Sequence, residues 1–416
     1  MTGSISDPSM KQLLSILCPS TPESLQTALS RMTDANWENI VNQSNRQGLT
    51  AILYKRLEEI GETCIIPVEI IEKTRNYYLS NLVRNVPIQH NHGRILRLIN
   101  EGGIEAIVLK GAHLSEAVYG NIALRTMSDM DILVKSSDIL EAEQLILSLG
   151  YIHRKTDNKH SRYECPNDST PLELHWHIVS PNIPANINIK DIWDRACQAE
   201  INGINALVQS PEDLLIHICF HAAFLHTFNQ FGLRMLWDVK VILEHFSNLL
   251  NWEQVRKTAS DWGVTRSIYL TLATAERVLN IIMPEGVLEM FRDNRGTGEN
   301  KALTSEEEYI RTAIEQLQCA DLEFNRNLPL FWCSENTVGS ARILLKRIIP
   351  SVSEMRKMYS LKSHTAIVYL YYFKRVWDLF RKYRRAAILL LRRDTETVEK
   401  IRREKRRHLM RKWIIE

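Results

Sequence analysis

The sequence predicts an α+β protein, mainly helical, in which a small mixed sheet is flanked by helical N- and C-terminal regions. Three observations predict it. Apolar residues recur at helical spacing over the first hundred residues, in sets such as Trp37, Ile40, Val41 and Leu49, Ile52, Leu53, Leu57. Short apolar or alternating runs, the pattern of strands, cluster in the stretch from Ile104 to Val208. Helical periodicity then returns and holds to the C-terminus. Strands bracketed by runs of helices give an α+β layering. The expected division is a helical region over 1–100, a sheet-bearing core over 101–209, a helical domain over 210–373 and a basic helical tail over 374–416.

The chain of 416 residues is long enough for two or three domains, and 44% hydrophobic with 24% charged residues is an ordinary balance for a globular protein. No apolar run reaches bilayer length, and the N-terminus lacks a basic segment followed by a long apolar one, so neither a span nor a secretory signal is expected. Seven scattered cysteines form no CxxC pair and fit reduced thiols, which implies a cytoplasmic location. The formal charge of +3 hides an asymmetry. From Lys374 to Glu416 there are sixteen Lys and Arg against six Asp and Glu, a net +10, while the rest carries 36 against 43, a net −7. Such a tail suits an anionic partner, a weak contact with an anionic membrane, or acid-rich helices of the same chain such as Glu306-Glu307-Glu308.

In chain order, Pro67 to Asn100 continues the N-terminal helices with a stripe of Leu79, Leu82, Val83 and Ile88, and Gly102-Gly103 ends it. Ile104 to Leu109 is an apolar strand that meets Lys110-Gly111, with a helix expected from Ala112. A second strand starts at Met130. Ser136 is the expected N-cap of a helix over Ser137 to Leu149, closed by Gly150. Tyr151–Arg154, Ser161–Cys165 and Leu172–His177 read as short strands, with a charged turn from Lys155 to Lys159 between the first two. Asn202-Gly203 between alternating residues signals a hairpin. Ser210-Pro211-Glu212-Asp213 starts a helix to about His226, with His217 and His221 four apart on one face, and a following helix carries Arg234, Trp237 and Asp238. Arg292 to Thr304 is loop-like, Thr304 and Glu307 open another helix, and short apolar or helical segments follow at Leu328–Trp332, Ser340–Ile349 and Ser363–Arg385. The aromatic and arginine-rich last segment has the composition of an interfacial helix, although an ordinary packing helix with a basic face is the simpler expectation.

The chemistry concentrates in Ser128-Asp129-Met130-Asp131-Ile132-Leu133-Val134. Side chains alternate along a strand, so Asp129 and Asp131 share a face. Two like charges side by side become useful when a divalent cation sits between them, since Mg²⁺ takes carboxylate and phosphate oxygens together. Glu173 lies on another alternating strand, with His175 and His177 on its face.

These residues resemble the nucleotidyltransferase superfamily that includes DNA polymerase beta, and more narrowly a bacterial family of largely uncharacterised nucleotidyltransferases. The resemblance covers roughly residues 85–245 and rests on the strand, the Lys110-Gly111 turn, the helix, the Arg-x-x-Ser-Asp-x-Asp run from Arg125 and the later carboxylate. The superfamily usually has Gly-Ser where this chain has Lys110-Gly111, so contacts of that serine do not carry over. The resemblance implies a nucleotidyltransferase core moving an NMP from an NTP to a hydroxyl or phosphate acceptor by two-metal catalysis. Asp129, Asp131 and Glu173 would be catalytic and hold Mg²⁺ or Mn²⁺. Lys110, Gly111, Arg125 and Ser128 would bind the triphosphate. His221, Arg234 and Asp238 recur in similar proteins without an assignable role. A small molecule, peptide or protein is the expected acceptor and nucleic acid is disfavoured. Two alternatives stand beside this: a non-catalytic nucleotide-binding or scaffold protein on the same fold, and a metal-dependent glycosyltransferase, which also uses Asp-x-Asp.

Overall fold

The computed structural model describes residues 5–61, 66–166, 168–229, 232–292, 299–318, 349–359, 368–391 and 395–415. The expected loop at 293–298, the apolar segment Leu328–Trp332 and the helix expected over 340–348 lie outside them. Met1–Ala320 with Trp413–Glu416 form one compact unit, and Asp321–Lys412 a second.

The first unit opens with four helices, α1 (Pro8–Leu17), α2 (Pro22–Ser30), α3 (Asp34–Arg46) and α4 (Thr50–Gly61), followed by the long α5 (Val68–Glu101). Strands β1 (Ala106–Val108), β2 (Met130–Val134), β3 (Ile152–Thr156), β4 (His160–Cys165), β5 (Asp168–His175), β6 (Cys197–Ile201) and β7 (Ile204–Val208) form one sheet in the order β3-β4-β5-β2-β1-β7-β6. It is mixed: β2 runs parallel to β5 and β1 parallel to β7, while β1 and β2 are antiparallel. The central β1 and β2 are buried along their whole length, which is why both read as nearly continuous apolar runs. At one edge the β6–β7 hairpin turns through Asn202 and Gly203, whose φ of 54° and 70° are the left-handed pair that such a turn requires.

One helical stripe is placed wrongly by periodicity. On α5 the expected Leu79 and Val83 are exposed, and Val83 is 73% accessible, whereas Asn81, Asn85, Gln89 and His92 are buried. The amides face inward because the neighbouring segment is a loop with free carbonyls. Asn85 Nδ2 donates to the carbonyls of Ile122 and Arg125 at 2.5 and 2.8 Å, and Asn81 Nδ2 donates to Ala123 at 3.2 Å. One turn further, Gln89 Oε1 accepts from Asn202 Nδ2 at 2.7 Å, which ties the edge hairpin to the same helix. The buried apolar part of α5, Ile88, Ile95, Leu96 and Ile99, joins the sheet core with Val108, Met130, Ile132 and Leu172.

Other boundaries shift for local reasons. Helix α6 (Lys110–His113) begins at Lys110 and passes directly into a π-helical turn, Leu114–Val118. Helix α7 (Ile139–Ser148) starts after Asp138 with no side-chain cap, so Ser136 caps nothing, and Gly150 follows with φ of 86°. After α8 (Ile189–Asp194), α9 (Pro211–Phe220) starts where its signals place it, with Ser210 Oγ accepting from the Asp213 amide at 3.2 Å. It ends at Phe220 in a second π-helical turn, His221–Leu225, rather than continuing to His226. Helices α10 (Gly232–His245), α11 (Trp252–Asp261), α12 (Thr265–Leu279), α13 (Val287–Phe291) and α14 (Glu299–Leu317) complete the series. The last begins five residues before Thr304, because Lys301, Ala302 and Leu303 carry helix propensity back past the capping pattern.

Two acids of α14 make ion pairs within the first unit. Glu306 pairs with Arg292 at 3.1 Å, and Glu307 pairs with Arg277 at 2.5 Å. The end of helix Thr395–Ile415 instead stacks Trp413 on Tyr309, ring centroids 4.7 Å apart, and Arg266 donates to the Trp413 carbonyl at 2.7 Å. In the second unit, helices Val352–Met358 and Val368–Leu391 precede it. Among the described residues no helix is long and apolar enough to cross a membrane.

Candidate active site

The parallel β2–β5 register sets Asp131 directly opposite Glu173, and the pleat puts both on one face with Asp129 two residues before. They open into a cavity of about 580 Å³ whose lining contains all seven residues named from the sequence: Lys110, Gly111, Arg125, Ser128, Asp129, Asp131 and Glu173. The same cavity takes in His221, Arg234 and Asp238.

Asp131 is 8% exposed. Its Oδ1 lies 2.8 Å from His175 Nε2 and its Oδ2 lies 3.8 Å from Lys110 Nζ. Burial pushes the carboxyl up, but Lys110 and His175 together hold it well below the usual carboxylate range. Asp129 has no such cation in contact and bonds only to Ser128 Oγ, at 3.1 Å, among the hydrogen bonds described. Burial and the neighbouring Asp131 therefore raise its pKa. The pKa of Glu173 is lowered, against burial and Asp131, by His175, whose Nε2 lies 3.5 Å from Oε2, and by His160; Arg162 sits 3.5 Å from its other oxygen. The three carboxylates thus form an acidic set, with Asp131 and Glu173 on adjacent strands and Asp129 immediately before β2.

Lys110 has a backbone φ of 30°, in the left-handed region that a side-chain-bearing residue enters at a cost. The strain falls on Lys110 and not on Gly111. A Cβ at Gly111 would stand 3.5 Å from Arg125 Nη1, so the glycine keeps that guanidinium edge open to the cavity. Arg125 is otherwise engaged: Nε and Nη2 donate to the two oxygens of Asp238 at 2.9 and 3.0 Å, and Tyr119 Oη donates to Asp238 Oδ1 at 2.8 Å. Burial opposes the charge, yet Asp238 outweighs it and raises the Arg125 pKa. Arg234 lies beside this pair, with Nη1 3.4 Å from the Thr126 carbonyl, and burial and Arg125 lower its pKa.

A family model described as uncharacterised nucleotidyltransferase matches residues 33–280, more than half of the chain and every residue of the cavity. The chain belongs to this family. Membership sets aside the glycosyltransferase alternative. No curated protein matches this nucleotidyltransferase. Among solved structures it is similar to ANT(2'')-Ia in complex with adenylyl-2''-tobramycin, at 14% identity over 42% of this chain and 95% of that one, with a TM-score of 0.33. A solution structure of ANT(2'')-Ia gives 14% identity, 45% and 96% coverage and a TM-score of 0.33. An antigenic nucleotidyltransferase-like protein from Paracoccidioides brasiliensis gives 13%, 48%, 96% and 0.32. The assignment rests on the family match alone.

Sequence reasoning gave no site role to several residues lining this nucleotidyltransferase's cavity, among them Arg84, Lys159, His226 and the apolar Met235. Lys159 matters most. It sits in the β3–β4 turn, where Asp157 Oδ1 accepts from its amide at 2.8 Å, and burial together with Lys110 lowers its pKa. The available signal was topological, since β4 pairs with the Glu173 strand and carries the turn over the same face. His217 and His221 were expected four apart on one helical face. The π-helical turn sets the His221 ring 4.4 Å from His226 and 6.3 Å from His217. Burial and Lys110 hold His221 well below its ordinary value, so it is neutral.

Proposed function

We propose that this protein transfers a nucleotidyl group from an NTP to a small-molecule, peptide or protein acceptor, with Asp129, Asp131 and Glu173 holding Mg²⁺ or Mn²⁺. The observation that carries this reading is the in-register pairing of Asp131 with Glu173 beside Asp129, open to a cavity that also presents Lys110 and Lys159. The donor set fits a hard divalent cation: three carboxylates on one face, ionised at Asp131 and Glu173. When bound, a pair of such cations neutralises charge on the attacking and leaving oxygens of an in-line displacement.

The chain's own groups do the rest. Lys110 and Lys159 act as point cations for the phosphates, and Ser128 offers a hydroxyl at the cavity rim. Arg125 presents Nη1 only, because Asp238 fixes the remainder of its guanidinium; it orients the phosphate wall rather than moving with substrate. Glu173, on the acceptor side of the carboxylate set, is placed to take the acceptor's proton. A cavity of about 580 Å³ is of the size that encloses small ligands, which supports the acceptor class.

The test is calorimetric titration of the full chain with each NTP, with and without Mg²⁺ or Mn²⁺, followed by incubation with α-labelled NTP and size-fractionated lysate. Metal-dependent NTP binding and label on small or protein fractions are expected. Absence of metal-dependent binding would return the reading to a scaffold role, and label on polynucleotide alone would overturn the acceptor class.

A further inference from the structure

We infer that His160, Glu173 and His175 form a binding site for a divalent cation of the Mn²⁺ to Zn²⁺ series, distinct in chemistry from an all-carboxylate magnesium site. One donor atom from each, His160 Nε2, Glu173 Oε2 and His175 Nε2, lies within 4.8 Å of the others. The two imidazole nitrogens stand 3.6 and 3.5 Å from Glu173 Oε2. Three donors at about 2.1 Å from a common ion are roughly 3.0–3.4 Å apart, so small side-chain rotations close the set.

Backbone and outer contacts hold the histidines in ligand orientation. His160 and His175 are direct partners across the antiparallel β4–β5 ladder, and their rings are 4.8 Å apart. His175 turns Nδ1 to the His177 carbonyl at 3.3 Å, and His160 Nδ1 lies 3.6 Å from Asp157 Oδ1, within reach of a hydrogen bond after a small rotation but not making one. An imidazole whose outer nitrogen faces a carbonyl or carboxylate while the inner one faces a shared centre is the usual arrangement of a metal-bound histidine. Asp157 is itself fixed, since the same oxygen accepts from the Lys159 and His160 amides. On the far side Arg162 sits 3.5 Å from Glu173 Oε1, leaving Oε2 to the histidines.

The donor types decide the ion. Two imidazoles and one carboxylate suit Mn²⁺, Co²⁺ or Zn²⁺, whereas Mg²⁺ demands oxygen ligands in near-octahedral geometry. Asp131 Oδ1, 2.8 Å from His175 Nε2, lies close enough to become a fourth donor once the metal takes the place of the proton between them. Glu173 and, as fourth donor, Asp131 are common to this site and to the carboxylate set, but binding here needs no nucleotide.

The experiment uses the full chain, stripped with a chelator, titrated with Co²⁺ and followed by its visible d–d absorption, then challenged with Zn²⁺ and Mg²⁺. One Co²⁺ per chain, displaced by Zn²⁺ and untouched by equimolar Mg²⁺, is expected. His160→Ala and the gentler His160→Asn should each weaken binding at least about 10-fold, while Glu105→Gln, at a surface carboxylate paired with Lys135, leaves it within about 2-fold, with circular dichroism confirming that each variant is folded. Equal Co²⁺ affinity in folded His160→Ala and the parent, or displacement by equimolar Mg²⁺, would overturn the inference. NTP transfer supported by Mg²⁺ in a protein that binds no Co²⁺ would sink this site alone; Co²⁺ binding without any NTP transfer would sink only the catalytic reading.

Discussion

Two buried carboxylates, Asp131 and Asp238, line one cavity and are held in opposite ways. Asp238 is saturated: three donors, two from Arg125 and one from Tyr119, occupy its oxygens at 2.8–3.0 Å. Asp131 has a single hydrogen bond, from His175, and a lysine too distant to donate. An ionised carboxylate has about four lone-pair sites, so Asp131 keeps acceptor capacity facing the cavity while Asp238 has little left. The first arrangement is suited to a ligand and the second to joining α10 to the loop before β2.

The contrast is broken most directly by removing each in turn. Asp238→Ala leaves Arg125 buried and uncompensated, and should lower unfolding free energy by about 3–5 kcal/mol, measured by urea denaturation. Asp131→Asn keeps the shape and an acceptor for His175, so its cost should stay near about 1 kcal/mol. Identical denaturation midpoints for the two variants would dissolve the distinction. In transfer assays Asp131→Asn should fall on the order of 10³-fold, since it removes several kcal/mol of charge stabilisation. Asp129→Asn should lose activity similarly yet leave the metal-free protein no less stable, because that carboxylate is already disfavoured by burial and by Asp131.

A smaller effect sharpens the assignment of the phosphate wall. Lys110→Ala and Lys159→Ala should each weaken NTP binding about 10- to 100-fold by calorimetry, the range for hydrogen bonds to a charged group. Unchanged affinity in Lys159→Ala would remove that residue from the wall.

Two buried histidines of the first unit add a signal in pH. Burial pushes His92 and His113 down to about 4. The unfolded chain takes up these protons below about 6.5 while the folded one stays neutral until near 4, so the stabilisation is complete above pH 6.5 and is lost as pH falls. Between pH 7 and pH 5 each ring should cost about 2 kcal/mol. A denaturation midpoint that does not move over that interval would show the rings to be accessible to protons.

The legible part of the site was the part written in strand alternation. Asp129, Asp131 and Glu173 recur at period two within apolar runs, and the fold class followed from where such runs begin and stop. What stayed hidden depends on contacts between distant segments. Lys159 sits in a charged turn whose direction is set by β4 pairing with β5, and no local pattern reports that. The Arg125–Asp238 pair joins residues more than a hundred apart. On α5 the apolar period pointed at Leu79 and Val83, which face solvent, because the helix packs there against carbonyls instead of side chains. His221 keeps an edge-on ring contact with His217, as its spacing predicts, but the nearer His226 ring is set by the π-helical turn, which no spacing reports.

The amides on α5 carry a consequence for how this family can change length. Asn81, Asn85 and Gln89 lie at successive turns, and their partners extend from the carbonyls before β2 to the turn of the β6–β7 hairpin. An apolar stripe tolerates sliding, because one methyl contact replaces another. A directional amide ladder does not: one residue inserted among these positions rotates everything beyond it by about 100° and detaches either the loop or the hairpin. Insertions and deletions should therefore be rejected between Asn81 and Gln89, which makes this nine-residue segment a fixed ruler that spaces the sheet's central strand β2 from its β6–β7 edge.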